Sequence, residues 1–224
     1  MNDILTVAID SGVENGSIAL LEGSLTIATW QGQAGGPPSG ELVPSIASLL
    51  HRHGFGPESI GRIAVSRGPG SFTGLRVGIA TAMGLSRALS VPCIGIDLLK
   101  AFYLEHGELG PLFCAIPIGR NGICWQYFKN GDAKTETATL CTGQTTELIE
   151  ILNSNPQTKL LAHTSVIALL TDETNKPLTN EFLDLGANMA VFVGRASITT
   201  DDGLEPIYAR TMTFRTRSGE DISQ

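Results

Sequence analysis

Residues 66–78 read Ser66-Arg67-Gly68-Pro69-Gly70-Ser71-Phe72-Thr73-Gly74-Leu75-Arg76-Val77-Gly78, joining an apolar, strand-like stretch at Ile60–Val65 to a helix-like stretch at Thr73–Leu89. Two glycines around a proline predict a tight, pre-shaped turn, because glycine accepts backbone angles that other residues avoid and proline fixes its own. Gly68, Pro69, Gly70 and Ser71 therefore read as a structural loop, with Ser71 or Thr73 able to cap the helix that follows. A helix start opening on a glycine turn can also hold an anion on its free N–H groups.

Upstream, Ile4–Asp10, Gly16–Leu21 and Leu25–Trp30 are short, β-branched and separated by turn residues. They predict three strands, the last two a hairpin over Glu22-Gly23-Ser24. Gln31–Gly40 reads as a loop, and Glu41–His53 as a helix with Pro44 in its first turn. Downstream come a strand at Val91–Ile96 and a third helix, capped by Asp97, running to His106. This βββαβαβα order is that of a ribonuclease H-like lobe. Ala8-Ile9-Asp10-Ser11-Gly12 is then echoed by Ala115-Ile116-Pro117-Ile118-Gly119, which opens a second, similar series. Strands are expected at Leu112–Ile118, Ile123–Phe128 and Ala133–Leu140, with turns at Arg120-Asn121-Gly122 and Asn130-Gly131. A helix at Thr145–Asn153, a strand at Leu160–His163 and a last helix at Phe182–Ala196 complete it. The repeated order predicts a duplication: an N-terminal lobe over residues 1–108, a smaller one over 109–210 and a polar, frayed tail over 211–224. Two such lobes facing one another make the α/β fold of the actin-like ATPases.

The chain has 224 residues, 42% hydrophobic and 17% charged, which suits a filled globular core. Its net charge of −7 discourages the sequence-independent phosphate attraction that drives nucleic-acid binding. Cys93, Cys114, Cys124 and Cys141 form no C-x-x-C pair and read as buried, reduced thiols. His51, His53, His106 and His163 show no metal-ligand spacing, so no metal site is expected. No basic-then-apolar leader is visible, and Thr73–Leu89, with Arg76 and Arg87, is short for a bilayer span. The expected location is the cytoplasm, away from membranes.

The thirteen-residue string, together with Ala8-Ile9-Asp10, Ser17-Ile18-Ala19-Leu20, Val91-Pro92-Cys93-Ile94-Gly95-Ile96 and Glu205-Pro206-Ile207-Tyr208-Ala209-Arg210, resembles the TsaB (YeaZ) family of tRNA threonylcarbamoyladenosine biosynthesis. The resemblance is strongest from Ile4 to about Ala101. It implies the actin-like fold and a subunit that binds and supports TsaD, the catalytic paralogue, with ATP handled by TsaE. It also implies homodimers when TsaD is absent, and only indirect contact with tRNA. In actin-like kinases an acidic loop after the first strand of each lobe approaches the phosphates and magnesium. Asp10, Ser11 and Gly12 are the matching nucleotide-binding candidates, with ATP or ADP and magnesium held weakly or at the junction with the partner; equally, Asp10 can simply end its strand and cap the turn. Pro117 and Ile118 occupy the second loop, where relatives carry an Ile-Asp-Ala-Arg-like string, and neither binds a cation or takes a proton. TsaD's metal-ligating histidines lie on its first helix, and Pro37–Pro44 has none. No catalytic residue is therefore assigned: the chain reads as a scaffold or pseudo-enzyme, with an ATP-dependent small-metabolite kinase as the alternative and a peptidase further behind, since no triad can be placed.

The two helices of the first lobe suggest where a partner sits. Leu42, Ile46 and Leu49 make one stripe, beside a second of Val43, Ala47 and Leu50, and this breadth hints at two buried faces. Gly74, Gly78 and Ala82 recur at four-residue spacing, as do Ala80, Gly84 and Ala88. Glycines inside a helix are costly and want a close backbone neighbour. Leu42, Ile46, Leu49, Gly74, Val77, Gly78, Thr81, Ala82 and Leu85 are the interface candidates, with Gly78→Arg expected to abolish partner binding in a folded monomer. The opposing reading packs the small face on the chain's own sheet.

Overall fold

The computed structural model describes residues 4–33, 41–107, 110–119, 122–129, 139–173 and 180–208, with short strands at 214–215 and 221–222. The first lobe begins with β1 (Leu5–Asp10), all six of whose residues are buried, as befits a central strand covered on both faces. β2 (Ser17–Glu22) pairs antiparallel with it, setting Ser17 opposite Asp10. β3 (Leu25–Gln31) continues the meander. The chain then runs through α1 (Leu42–Arg52), a 3-10 turn (Pro57–Ser59), β4 (Ile60–Gly68), α2 (Phe72–Leu89), β5 (Cys93–Asp97) and α3 (Leu98–His106). β4 lies parallel to β1, and β5 parallel to β4, giving the order β3-β2-β1-β4-β5.

The second lobe repeats the plan with β6 (Leu112–Ile118), β7 (Gly122–Phe128), β8 (Leu140–Gln144), α4 (Thr145–Ser154), β9 (Lys159–Ala162), α5 (Thr164–Glu173), β10 (Phe182–Asp184) and α6 (Ala190–Ala196). Its sheet order, β10-β9-β6-β7-β8, is the first sheet's order read from the other end. β6 is antiparallel to β7 and parallel to β9, as β1 is to β2 and β4. Asp10 and Pro117 therefore stand at corresponding ends of corresponding strands. Two lobes of this topology form the actin-like fold.

The apolar side chains sort into three clusters. Leu42, Ile46, Leu49 and Leu50 of α1 and Ile79 and Ala82 of α2 cover one face of the first sheet. Leu148, Leu152, Val166 and Leu170 of α4 and α5 cover one face of the second. Between the sheets lie α3 and α6, where Phe102 meets Phe192 edge-to-face at 5.0 Å.

Two expectations are corrected. Of the strand expected at Ala133–Leu140, residues 133–138 lie outside the described set, as do the Asn130-Gly131 turn, Arg120, Asn121 and residues 34–40; among the described residues β8 begins at Leu140. The helix expected from Phe182 to Ala196 divides: Phe182–Asp184 pairs parallel with β9, and helix resumes only at Ala190. Gly186, at φ +74°, turns the chain between them. The sequence reading also passed over α5. Residues Asn188 to Tyr208, expected with the second lobe, return to the first. Asn188 Nδ2 donates to the Trp30 carbonyl (3.0 Å), Asp202 N to Gly95 O (2.7 Å) and Ile207 N to Arg67 O (2.6 Å). Within the expected tail, Phe214–Arg215 pairs antiparallel with Asp221–Ile222; its other residues lie outside the described set.

Phe102 is fully buried at the meeting of both lobes and the two helices between them. Phe102→Ala should lower unfolding stability by about 3–5 kcal/mol, read as a lower urea midpoint.

Candidate functional site

The glycine loop is built by contact with the turn after β1. Gly68 ends β4 at φ +113°, and Ser71 Oγ caps α2 by accepting from Gly74 N at 3.4 Å. Ser71 N donates to Gly12 O at 2.7 Å, and Ser11 Oγ donates to Gly74 O at 2.7 Å. A Cβ on Gly70 would sit 2.7 Å from Gly12 O; on Gly74 it would overlap the Ser11 carbonyl oxygen, and on Gly78 the Ser11 hydroxyl. Side chains at these three positions would force the β1–β2 turn and α2 apart.

Asp10 organises that turn from inside. Its carboxylate has no exposed surface and accepts from Val13 N (3.2 Å), from Gly12 N (3.4 Å) and from the Ser66 hydroxyl. Burial pushes the Asp10 carboxyl up to about 6, against the downward pull of those three hydrogen bonds. Ser11 is buried as well, and Leu75 and Gly70 lie against Gly12. These bonds make Asp10 the cap of the turn after β1. In the second lobe Pro117 pairs with Ile123 inside the β6–β7 ladder. Among the described residues no three His, Cys, Asp or Glu side chains converge to hold a metal ion. Burial pushes the thiols of Cys93 and Cys124 up to about 11 and 12, leaving little thiolate for chemistry.

The interface candidates are redistributed. Leu42, Ile46, Leu49, Gly74, Gly78 and Ala82 are buried in the chain's own core; Val77, Thr81 and Leu85 are half-buried at its margin. Gly78→Arg would therefore strike Ser11 and unfold the lobe, and the expectation of a folded variant is corrected. The outward faces belong to Val43 and Ala47 on α1 and to Thr73, Arg76, Ala80, Met83, Gly84 and Ala88 on α2. Val43 and Met83 are half exposed, at 50% and 51%, and a Cβ on Gly84 would meet nothing within 4 Å. Of the two small-residue stripes, the second is the free one.

The sequence reading missed a cluster at the start of α2. Tyr208 packs on Phe72 with ring centroids 4.8 Å apart, the Arg76 guanidinium lies 3.8 Å over the Phe72 ring, and Arg76 Nε donates to Tyr208 Oη at 3.2 Å. It also missed Glu14, His163 and Ser165, which meet between the lobes. No spacing in the sequence signals either meeting.

Two substitutions check the packing. Gly74→Ala should cost about 1–3 kcal/mol or more through overlap with Ser11, whereas Gly84→Ala should gain up to about 1 kcal/mol. A third check uses pH. The folded-state pKa of Asp10, about 6, lies above its unfolded value of 3.8, so its contribution is fully present below about pH 4 and is lost as pH rises through 6. Asp10→Asn carries no such loss. Its stability relative to the parent chain should shift in its favour by about 3 kcal/mol between pH 4 and 7 in denaturant titrations.

A family model described as TsaD, tRNA N6-adenosine threonylcarbamoyltransferase, matches residues 39–210. A tRNA threonylcarbamoyladenosine biosynthesis protein TsaB from Bacillus subtilis is 30% identical over 128 residues, 56% of each chain. The protein of the same name from Haemophilus influenzae is 35% identical over 110 residues, 49% of this chain and 46% of that one. The chain thus spans about half the length of the curated relatives it matches. A YeaZ structure from Pseudomonas aeruginosa superposes with a TM-score of 0.62 at 17% identity, over 92% of this chain and 99% of that one. An activator of 2-hydroxyisocaproyl-CoA dehydratase from Clostridium difficile, solved with ADPNP, superposes at 0.54 with 11% identity, over 87% of this chain and 94% of that one. The repeated β-meander topology, the glycine loop locked on the first strand and these likenesses agree: the chain belongs to the family that the threonylcarbamoyltransferase model describes, in its TsaB/YeaZ branch.

Proposed function

We propose that this chain is a non-catalytic subunit in tRNA threonylcarbamoyladenosine biosynthesis, which docks a TsaD-type threonylcarbamoyltransferase on the outer faces of α1 and α2. The observation that carries this reading is the free small-residue stripe of α2. Ala80, Gly84 and Ala88 repeat at four-residue spacing with their surfaces open, and Val43 and Ala47 are exposed on α1. Small residues at that spacing let another helix approach closely, and a glycine inside a helix is costly without such a neighbour. Phe72, Arg76 and Tyr208 extend the surface with residue types enriched at binding hot spots.

The loops that would carry chemistry support a scaffold. Asp10 is turned inward, and proline and isoleucine stand at the matching place in the second lobe. The net charge of −7 leaves tRNA contact to the partner. Among the described residues no helix is long and apolar enough to cross a membrane. TsaE completes the assembly as the ATP-handling component, and with TsaD absent the same face pairs two copies of this chain.

Light scattering after size exclusion, on the chain alone and mixed with TsaD of its own organism, tests the reading. A homodimer should give way to a heterodimer. Gly84→Arg should keep the fold and weaken the heterodimer about 30-fold or more, the scale of a single hot-spot loss. Independent elution of two folded proteins would overturn the proposal. Magnesium-dependent ATP turnover by the chain alone would favour the kinase reading instead.

A further inference from the structure

The turn after β1 does more than seat α2. Beyond Asp10 it crosses to the second lobe: Val13 is buried in the cluster between the sheets, and Glu14 follows at φ +46°. That left-handed angle costs a non-glycine residue roughly 1–2 kcal/mol, and here it aims the carboxylate at the start of α5. Ser165 Oγ donates to Glu14 Oε1, a contact between residues 151 positions apart. Next to it His163, at the end of β9 and 1% exposed, accepts from Ser165 N on Nδ1 at 3.1 Å. Its Nε2 has no hydrogen-bond partner and faces Glu14 Oε2 at 3.8 Å. A carboxylate at a helix start is favoured by the helix dipole. Glu14 is about a third exposed, so water can replace these contacts. The apolar cluster around α3 and α6 holds the lobes together independently of them.

We propose that Glu14 is a latch between the lobes: its carboxylate accepts from Ser165 Oγ in the first turn of α5, and its release lets the lobes part at the carboxyl ends of β1 and β9. The latch is independent of the partner reading. It converts a loop that approaches phosphates in actin-like kinases into a strut between halves of the molecule.

Hydrogen exchange followed by mass spectrometry on the full chain tests it, with Glu14→Gln, Ser165→Ala and the double variant. Glu14→Gln keeps the side chain's shape and removes its charge; Ser165→Ala removes the donor from the other lobe. Each single variant should speed exchange in the β1–β2 turn and the first turn of α5 about tenfold or more, the scale of one charge-assisted hydrogen bond lost to local opening. The strand interiors of β4 and β6 should keep their parent rates, and the double variant should exchange no faster than the faster single. Parent rates at both segments would overturn the latch. So would acceleration spread evenly over both sheets, which would make the contact a contributor to global stability only, or fully additive effects, which would mean that the two side chains act apart.

Discussion

Everything in the first lobe depends on how closely the backbone at Ser11-Gly12 approaches the backbone at Gly70, Gly74 and Gly78. Two main chains come together where one side chain would keep them apart, and hydrogen bonds run both ways: Ser71 N to Gly12 O, Ser11 Oγ to Gly74 O. The contact fixes the start, axis and rotation of α2 at once. Rotation matters most. Once Gly74, Gly78 and Ala82 are pressed inward, Ala80, Gly84 and Ala88 must look outward, because positions two apart on a helix stand on different faces. The outer surface is thus set by an internal packing decision.

Asp10 makes that approach possible at an energetic cost. A turn bent tightly enough to present Ser11 and Gly12 to α2 leaves the amides of Gly12 and Val13 without strand partners, and the carboxylate takes them up. Removing that carboxylate from water lifts its pKa to about 6, so at neutral pH the turn carries a buried charge held by three hydrogen bonds. The matching end of β6 carries no acid. Pro117 has no N–H to satisfy, and Gly119 takes φ +59°. The two ends of the duplicated strand have diverged in chemistry while keeping their place in the sheet.

Much of the fold was legible because it is written in local patterns. Alternating and continuous apolar runs marked β1 to β7 and α1 to α4 to within about a turn, Asp97 and the choice of Ser71 or Thr73 announced helix starts, and the echo of residues 8–12 at 115–119 pointed to the duplication. What failed was non-local. Phe182–Asp184 has no period of its own to tell helix from strand; its pairing with β9 decides. Small-residue periodicity cannot say which of two stripes faces inward, since that rests on Ser11, some sixty residues away. The meetings of Glu14 with Ser165 and of Tyr208 with Phe72 exist only after the chain has returned, so no spacing records them.

The return of the C-terminal segment ties the inner and outer halves of the site together. Asp202 accepts from Asp97 N and pairs with Lys100, and its backbone bonds Gly95, covering the edge of β5 that would otherwise stand open. From there the chain runs along Arg67 and Gly68 to Tyr208, which seats on Phe72 and Arg76 at the first turn of α2. The start of α2 is therefore gripped from both sides, by the β1–β2 turn beneath and by Tyr208 at its rim. A helix held in this way presents its outer stripe without first having to be ordered, and side chains already fixed lose less entropy on docking. The same packing that buries the turn after β1 preorganises the surface on which a partner would bind.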